Sequence, residues 1–224
     1  AAPLMSVCGQ VCSHPCELAC TRGINGTPIS IRDLKAFALD KAKKEGWNPE
    51  FKTAPKNGKK VAVIGTGPAA ISNAFYMAKA GYAVTMFEKE NYVGGMLRYA
   101  IPNFRLDKSA IDEEIAILTG LGVEIKTGVT YGKDITADSL KKDGFSSVFL
   151  GIGAQDGQLP KIANADADGV MDALSFLKKA YDKEIKAVPE RVVVLGGGFT
   201  AVDAAREALR LGAKEAYIAY RRTR

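Results

Sequence analysis

The sequence predicts an α/β protein: a Rossmann-like nucleotide-binding domain, then the start of a second one, preceded by a small helical segment that holds every cysteine. Three observations predict this. Two glycine loops, Gly65-Thr66-Gly67-Pro68-Ala69-Ala70 and Gly196-Gly197-Gly198-Phe199-Thr200-Ala201, each follow a short apolar run and open an alanine-rich stretch. Cys8, Cys12, Cys16 and Cys20 are evenly spaced by four near the N-terminus. A polar stretch with Pro49, Pro55 and Gly58 separates the two regions and reads as a linker. The expected division is 1–47 for the cysteine segment, 48–60 for the linker, 61–155 for the first nucleotide domain and 156–224 for the second.

Within the first region, Ile31, Leu34, Phe37 and Ala38 recur at helical spacing and predict an amphipathic helix from Ile31 to Lys44. Val61-Ala62-Val63-Ile64 is fully apolar, as befits a parallel strand buried on both faces. A small-residue helix from Ala69 to Ala80 and a strand from Ala83 to Phe87 follow. Val123-Glu124-Ile125 and Val148-Phe149-Leu150 read as later strands. The pattern recurs with a strand at Val192-Val193-Val194-Leu195, a helix from Ala201 to Leu211 and a strand from Ala216 to Tyr220. A lone strand–helix–strand unit cannot cover both faces of its sheet. The expectation is therefore a piece of a longer polypeptide, or one completed by a partner.

Composition narrows the function classes. The 224 residues suffice for one large or two small domains, and 47% hydrophobic with 25% charged is ordinary for a globular protein. No apolar run approaches the roughly 18 residues of a membrane span. Ala1-Ala2-Pro3-Leu4-Met5 carries no basic n-region and no long apolar core, so the sequence predicts no signal peptide and a cytoplasmic protein. The net charge of +6 is scattered, with Arg221, Arg222 and Arg224 the one tight basic cluster. Nucleic-acid surfaces concentrate charge among aromatics, so neither nucleic acid nor membrane is expected as a partner.

The first loop has a mechanism. Gly65 permits the tight turn, Gly67 lets the backbone approach a pyrophosphate, and Ala70 lets helix and strand pack closely. The helix N-terminus offers free N–H groups and the positive end of a dipole to the anion. Glu88 stands 18 residues past Ala70, at the end of the second strand. A carboxylate there accepts from ribose hydroxyls and repels a 2′-phosphate, which fits FAD or NAD and disfavours NADP. The alternative is a glycine-rich turn with no ligand. The second loop lacks that acid, and Tyr220-Arg221-Arg222 stands in its place. Arginine pairs with phosphate through bidentate hydrogen bonds, so this loop favours NADP over NAD. A solvated strand end is the alternative. Two loops with opposite charge at the ribose position suggest a flavin and a nicotinamide.

Clustered thiols in a chain of this kind suggest metal more than disulfides. Iron–sulfur, zinc and free or disulfide-bonded thiols all stay open at this spacing. Pro15 argues for a loop folded around a cluster rather than an unbroken helix. His14 reads as a solvated bystander.

With these residues in view, the chain resembles the small (beta) subunit of bacterial glutamate synthase and the N-terminal half of dihydropyrimidine dehydrogenase. Cys8-Gly9-Gln10-Val11-Cys12, the first glycine loop, Val93-Gly94-Gly95-Met96-Leu97, Ile101-Pro102-Asn103-Phe104-Arg105-Leu106, the second glycine loop and Tyr220-Arg221-Arg222 carry the resemblance, in the family's order. It implies FAD in the first domain, with Gly65 to Ala70, Glu88, Lys89, Gly94, Gly95, Met96, Leu97 and Arg105 at flavin-nucleotide positions. It implies NADPH in the second, with Gly197, Gly198, Phe199 and Thr200 at the phosphate loop and Arg221 and Arg222 at the 2′-phosphate. It also implies 4Fe–4S clusters in an N-terminal helical domain, to which Cys8, Cys12, Cys16 and Cys20 belong. The family has further cysteines upstream, and some members place a Gln or Glu ligand where this chain has Lys35.

The implied reaction is hydride transfer from NADPH to flavin, then electron release through iron–sulfur clusters to an electron-accepting protein subunit. No acid–base or nucleophilic constellation stands out, which argues against a hydrolase. Arg98 and Arg105 would place positive charge near reduced flavin, with solvated surface arginines as the alternative. Two other readings compete: a non-catalytic docking module that keeps at most FAD, and a zinc-stabilised NAD-binding regulator.

Overall fold

The computed structural model describes residues 2–47 and 50–221. Within them the chain forms two compact units. One comprises Ala1–Gly95 with Arg105–Ile152, the other Met96–Phe104 with Gly153–Arg224. The sequence reading sets its boundary at 155/156; the contacts divide the chain after Ile152 and assign 96–104 to the second unit.

The first unit opens with four short helical elements. Helix α1 (Met5–Val11) stops where Cys12 turns extended, at φ −62° and ψ 136°. His14 is left-handed (φ 45°), and Pro15 takes the first position of α2 (Pro15–Leu18). Proline has no N–H to donate, so it starts a helix without cost but does not continue one. A 3₁₀ turn (Thr21–Asn25) and helix α3 (Ile31–Lys44) follow. Helices α1 and α3 pack closely: a β-carbon at Gly9 would stand 3.2 Å from Ala36.

Strand β1 (Lys60–Ile64), helix α4 (Pro68–Lys79) and strand β2 (Ala83–Phe87) come next. Helix α5 (Met96–Tyr99) belongs to the second unit, and α6 (Ser109–Gly120) returns to the first. Strand β3 (Glu124–Lys126), helix α7 (Ala137–Lys142) and strand β4 (Phe145–Leu150) complete it. The sheet order is β3-β2-β1-β4, all parallel, with Ile64 opposite both Phe87 and Leu150. Val61 to Ile64 are all buried, as the unbroken apolar run requires of a central parallel strand. Helix α4 sets Ala70, Ile71, Ala74, Phe75 and Ala78 into the core. Leu140 of α7 packs with Ala62, Ile64 and Phe87.

The second unit holds α5, α8 (Ala173–Tyr181), β5 (Arg191–Leu195), α9 (Phe199–Arg210) and β6 (Glu215–Ala219). Strands β5 and β6 are parallel, with Leu195 opposite Ala219. The Arg206 guanidinium lies 4.1 Å from the Phe104 ring centroid. Among the described residues, no helix is long and apolar enough to cross a membrane.

Candidate functional site

The first glycine loop is built by its neighbours. Gly65 has φ +97°, and a β-carbon there would stand 2.5 Å from the Gly151 carbonyl oxygen, so only glycine fits. Its N–H donates to the Phe87 carbonyl (2.7 Å), which ties the loop to the end of β2. Thr66 is fully buried. Its backbone N–H (2.9 Å) and its hydroxyl (2.6 Å) both donate to Glu88 Oε2. The same hydroxyl accepts the Gly94 N–H at 3.1 Å. Glu88 Oε1 accepts the Glu90 N–H at 3.0 Å. Thr66 thus locks the glycine loop, the strand-end acid and the Gly94-Gly95 turn into one piece. Gly95 (φ +54°) sits so close that a β-carbon would stand 2.9 Å from the Gly67 Cα.

Gly67 differs. It is the N-cap of α4 at φ −70°, with Pro68 at the first helical positions. Among the described residues, no atom lies within 4 Å of where its β-carbon would point. Nor does a side chain cap this helix start, and its first turn carries no acid. Ala70 is fully buried, and a β-carbon on Gly151 would meet its Cβ at 2.8 Å. The arrangement is an uncapped helix N-terminus with open space beside Gly67, which suits a diphosphate. A carboxylate offers about four lone-pair sites, and protein donors use three of them, so Glu88 Oε1 keeps capacity for a hydroxyl. The residues present therefore fit the diphosphate and ribose of a dinucleotide.

Other expected flavin residues are less concentrated. Lys89 is exposed, Arg105 is half-buried in the first unit, and Met96, Leu97 and Arg98 belong to the second. Arg98 is buried, at 8% exposure, so it is not a solvated surface arginine.

The second loop repeats the backbone and changes the side chains. Gly196 (φ +134°) donates to the Ala219 carbonyl at 2.9 Å, as Gly65 does to Phe87. Gly198 is the N-cap of α9, again among the described residues without a side-chain cap. Phe199 and Thr200 are exposed. A β-carbon at Gly197 would fall 2.8–2.9 Å from three atoms of the Tyr220 ring. Arg221 is exposed, and Arg222 lies outside the described residues.

The cysteines lie on or beside short helical pieces rather than in one continuous loop. Cys8 lies within α1, Cys12 caps it, Cys16 lies in α2 and Cys20 precedes the 3₁₀ turn. All four are free thiols. Among the described residues, no three Cys, His, Asp or Glu side chains gather as a metal site. The break at Cys12–Pro15 puts Cys8 and Cys16 on separate helices. Two of the thiols accept from backbone amides: the His14 N–H donates to Cys12 Sγ at 3.4 Å. Backbone donors at Ile29, Arg22 and Gly23 hold the Cys20 thiol below its ordinary pKa. His14 Nδ1 lies 3.2 Å from Glu17.

Sequence reasoning missed Gly151 and Glu114. A glycine directly after an apolar strand was a signal for the first. Glu114, buried on α6, accepts from the backbone of Leu4, Ser6 and Met5 at the start of α1, and nothing local marks it.

A glycine loop on an α/β crossover, with an acid hydrogen-bonded to it, defines a dinucleotide-binding protein. Residues 59–224 match the pyridine nucleotide-disulphide oxidoreductase family, and the chain belongs to it. Residues 1–47 match the family described as dihydropyrimidine dehydrogenase domain II, 4Fe-4S cluster. The chain is 37% identical to the glutamate synthase [NADPH] small chain of Escherichia coli over 233 residues, covering 98% of this chain and 49% of that one. It is 38% identical to the NADPH-Fe(3+) oxidoreductase subunit beta of Geobacter sulfurreducens, covering 99% of this chain and 34% of that one. The chain thus spans half or less of these relatives. Among solved structures, 2-naphthoyl-CoA reductase aligns with a TM-score of 0.61 at 25% identity, covering 79% of this chain and 26% of that one. Mycobacterium tuberculosis FprA in complex with NADPH aligns at 0.60 and 20% identity, covering 74% and 43%, a likeness of fold.

Proposed function

We propose that this chain is the nucleotide-binding part of an NADPH-dependent flavin oxidoreductase that passes electrons to a protein partner. The observation that carries the reading is the Thr66–Glu88–Gly94 lock beside the open face of Gly67. Backbone amides at the start of α4 would take the diphosphate of FAD. Glu88 would accept from its ribose, and the Gly94-Gly95 turn would close over the loop. Lys89, Met96, Leu97, Arg98 and Arg105 are proposed around the rest of the flavin nucleotide. FAD, when bound, supplies hydride acceptance and single-electron release. The second loop, with Gly197, Gly198, Phe199, Thr200, Arg221 and Arg222, is proposed for NADPH.

Support comes from the relatives, whose names specify NADPH or NADP(+) and a small chain or beta subunit. A cytoplasmic complex with an electron-accepting subunit accords with them. Cys8, Cys12, Cys16 and Cys20 are proposed as thiolate ligands of a 4Fe–4S cluster, supported by the match of residues 1–47 to a family whose description names that cluster. The test is purification of the full-length protein under anaerobic conditions. Absorption spectra, with iron and acid-labile sulfide analysis, should show bound flavin, and NADPH should reduce an artificial acceptor. A colourless protein that does not take up added FAD would refute the reading.

A further inference from the structure

Helix α3 starts without a cap of its own. Its N-cap residue, Ser30, makes no side-chain hydrogen bond to the first turn. The first amides of a helix have no partner inside it, so an acceptor must come from elsewhere. Here it comes from 15 residues upstream: the Arg32 N–H donates to Glu17 Oε1 at 2.8 Å. A carboxylate at that place also meets the positive end of the helix dipole.

The other oxygen of the carboxylate reaches the turn before α2. Glu17 Oε2 lies 3.2 Å from His14 Nδ1. His14 is left-handed at φ 45°, a backbone state that a residue with a β-carbon keeps only when its surroundings hold it. Helix α2 has four residues, too few to persist alone. Glu17 thus fastens this turn and this short helix to the start of α3.

Each end of that fastening meets a thiol. On one side the His14 N–H donates to Cys12 Sγ at 3.4 Å. On the other, the Ile29 N–H donates to the Cys20 thiol. The Ile29 carbonyl in turn accepts at 2.8 Å from Ile31, the first residue of α3. Cys16 directly precedes Glu17 in α2. One carboxylate, only 19% exposed, therefore links the surroundings of three of the four cysteines.

We propose that Glu17 is a positioning residue of the cysteine segment: by clamping α2 to the start of α3, it holds Cys12, Cys16 and Cys20 in the arrangement in which they serve as ligands. This deepens the proposed function and rests on its assignment of these thiols to a 4Fe–4S cluster.

The test uses the full-length protein, purified anaerobically. In metal-free protein, hydrogen exchange read by mass spectrometry reports the clamp directly. Glu17→Ala should speed exchange over residues 13–20 and 30–34 by about tenfold, as loss of a helix cap does, and leave α1 within about twofold of the parent. In protein loaded with iron and sulfide, the same variant should lose about half or more of its iron and change the electron paramagnetic resonance signal of the rest. Flavin content should stay at the parent level, which separates a local effect from unfolding. Glu17→Gln keeps an oxygen for the Arg32 N–H and should restore both exchange and iron. Glu17→Asp, one methylene too short to span both contacts, gives the same reading if Glu17→Ala does not accumulate. Unchanged exchange in Glu17→Ala overturns the proposal, and so does failure of Glu17→Gln to restore it. If the parent takes up flavin but no iron, the cluster assignment fails, and the exchange data still decide whether Glu17 holds the segment. If all variants bind iron alike, the assignment stands and this inference falls.

Discussion

Replacing Thr66 with valine isolates the lock that holds the first nucleotide site together. Valine matches threonine in shape, so the change removes a hydroxyl and leaves little cavity. Two interactions go with it: the 2.6 Å donation to Glu88 and the acceptance of the Gly94 N–H at 3.1 Å. Thr66 and Glu88 are 0% and 4% exposed, so water does not replace either bond. A hydrogen bond to a charged group is worth about 1.5–3 kcal/mol, and a stranded buried N–H costs about 1–3 kcal/mol. The Thr66 N–H still reaches Glu88, which limits the loss. We expect a destabilisation of about 3 kcal/mol, with a Tm about 6–12 °C lower for a domain of this size. The assay is denaturant and thermal unfolding of the flavin-free protein, alongside flavin titration by fluorescence. Thr66→Ser restores the hydroxyl and should recover most of both signals. A Tm within about 1 °C of the parent, with flavin affinity unchanged, would show that the lock does not position the loop.

The neighbouring glycines should separate fold from binding. Gly65→Ala meets the Gly151 carbonyl at 2.5 Å in a left-handed conformation, so it should lose about 3 kcal/mol or more, or fail to accumulate as soluble protein. Gly67→Ala points into open space and should unfold within about 2 °C of the parent, yet lose flavin on gel filtration because the methyl enters the diphosphate's approach. Burial holds the Glu114 carboxyl above its ordinary pKa, despite donation from the Leu4, Ser6 and Met5 backbone. The folded chain then holds this proton more tightly than the unfolded chain, so this group's contribution to stability falls as pH rises through its raised pKa. Glu114→Gln should flatten that part of the profile, read as urea midpoints from acid to neutral pH.

Much of the first unit was legible because its signals are local. The amphipathic spacing of Ile31, Leu34 and Phe37 delimits α3 as observed, Ile31–Lys44, and the apolar run after Ala83 delimits β2 as Ala83–Phe87. Helices α6 and α8 went unread. Their apolar positions are diluted by Asp112, Glu113 and Glu114 in one, and by Lys178 and Lys179 in the other. Strand β4 begins at Phe145, three residues before the apolar stretch that signals it, because Ser146 and Ser147 interrupt the pattern. Tertiary pairing with β1 overrides that local polarity. In the site, residue types singled out Gly65, Gly67 and Glu88. They did not reveal that Thr66 is what fixes them, since that depends on residues 22 and 28 positions away. The cysteine spacing did not reveal where the thiols sit, which turns on the helix break before Pro15.

With α1 ended at Cys12, contacts elsewhere hold the cysteine segment in place. A seven-residue helix such as α1 has too few internal bonds to persist alone, so its position must come from outside. Its starting amides are satisfied by Glu114 of α6 rather than by a cap of its own. Gln10 Oε1 accepts the Asp107 N–H at 2.9 Å, and Lys43 of α3 pairs with Glu113. Three polar ties thus converge on residues 107–114 of the first nucleotide unit. A buried carboxylate is a costly fastener, because desolvation offsets most of what its hydrogen bonds contribute. A leucine at that place would leave the Leu4, Met5 and Ser6 amides without this acceptor, and apolar contact alone would let the helix slide and rotate. Directional bonds fix rotation and height together. What Glu114 adds is therefore placement: Cys8, one turn past the capped amides, is held at one position against the domain proposed to carry the flavin.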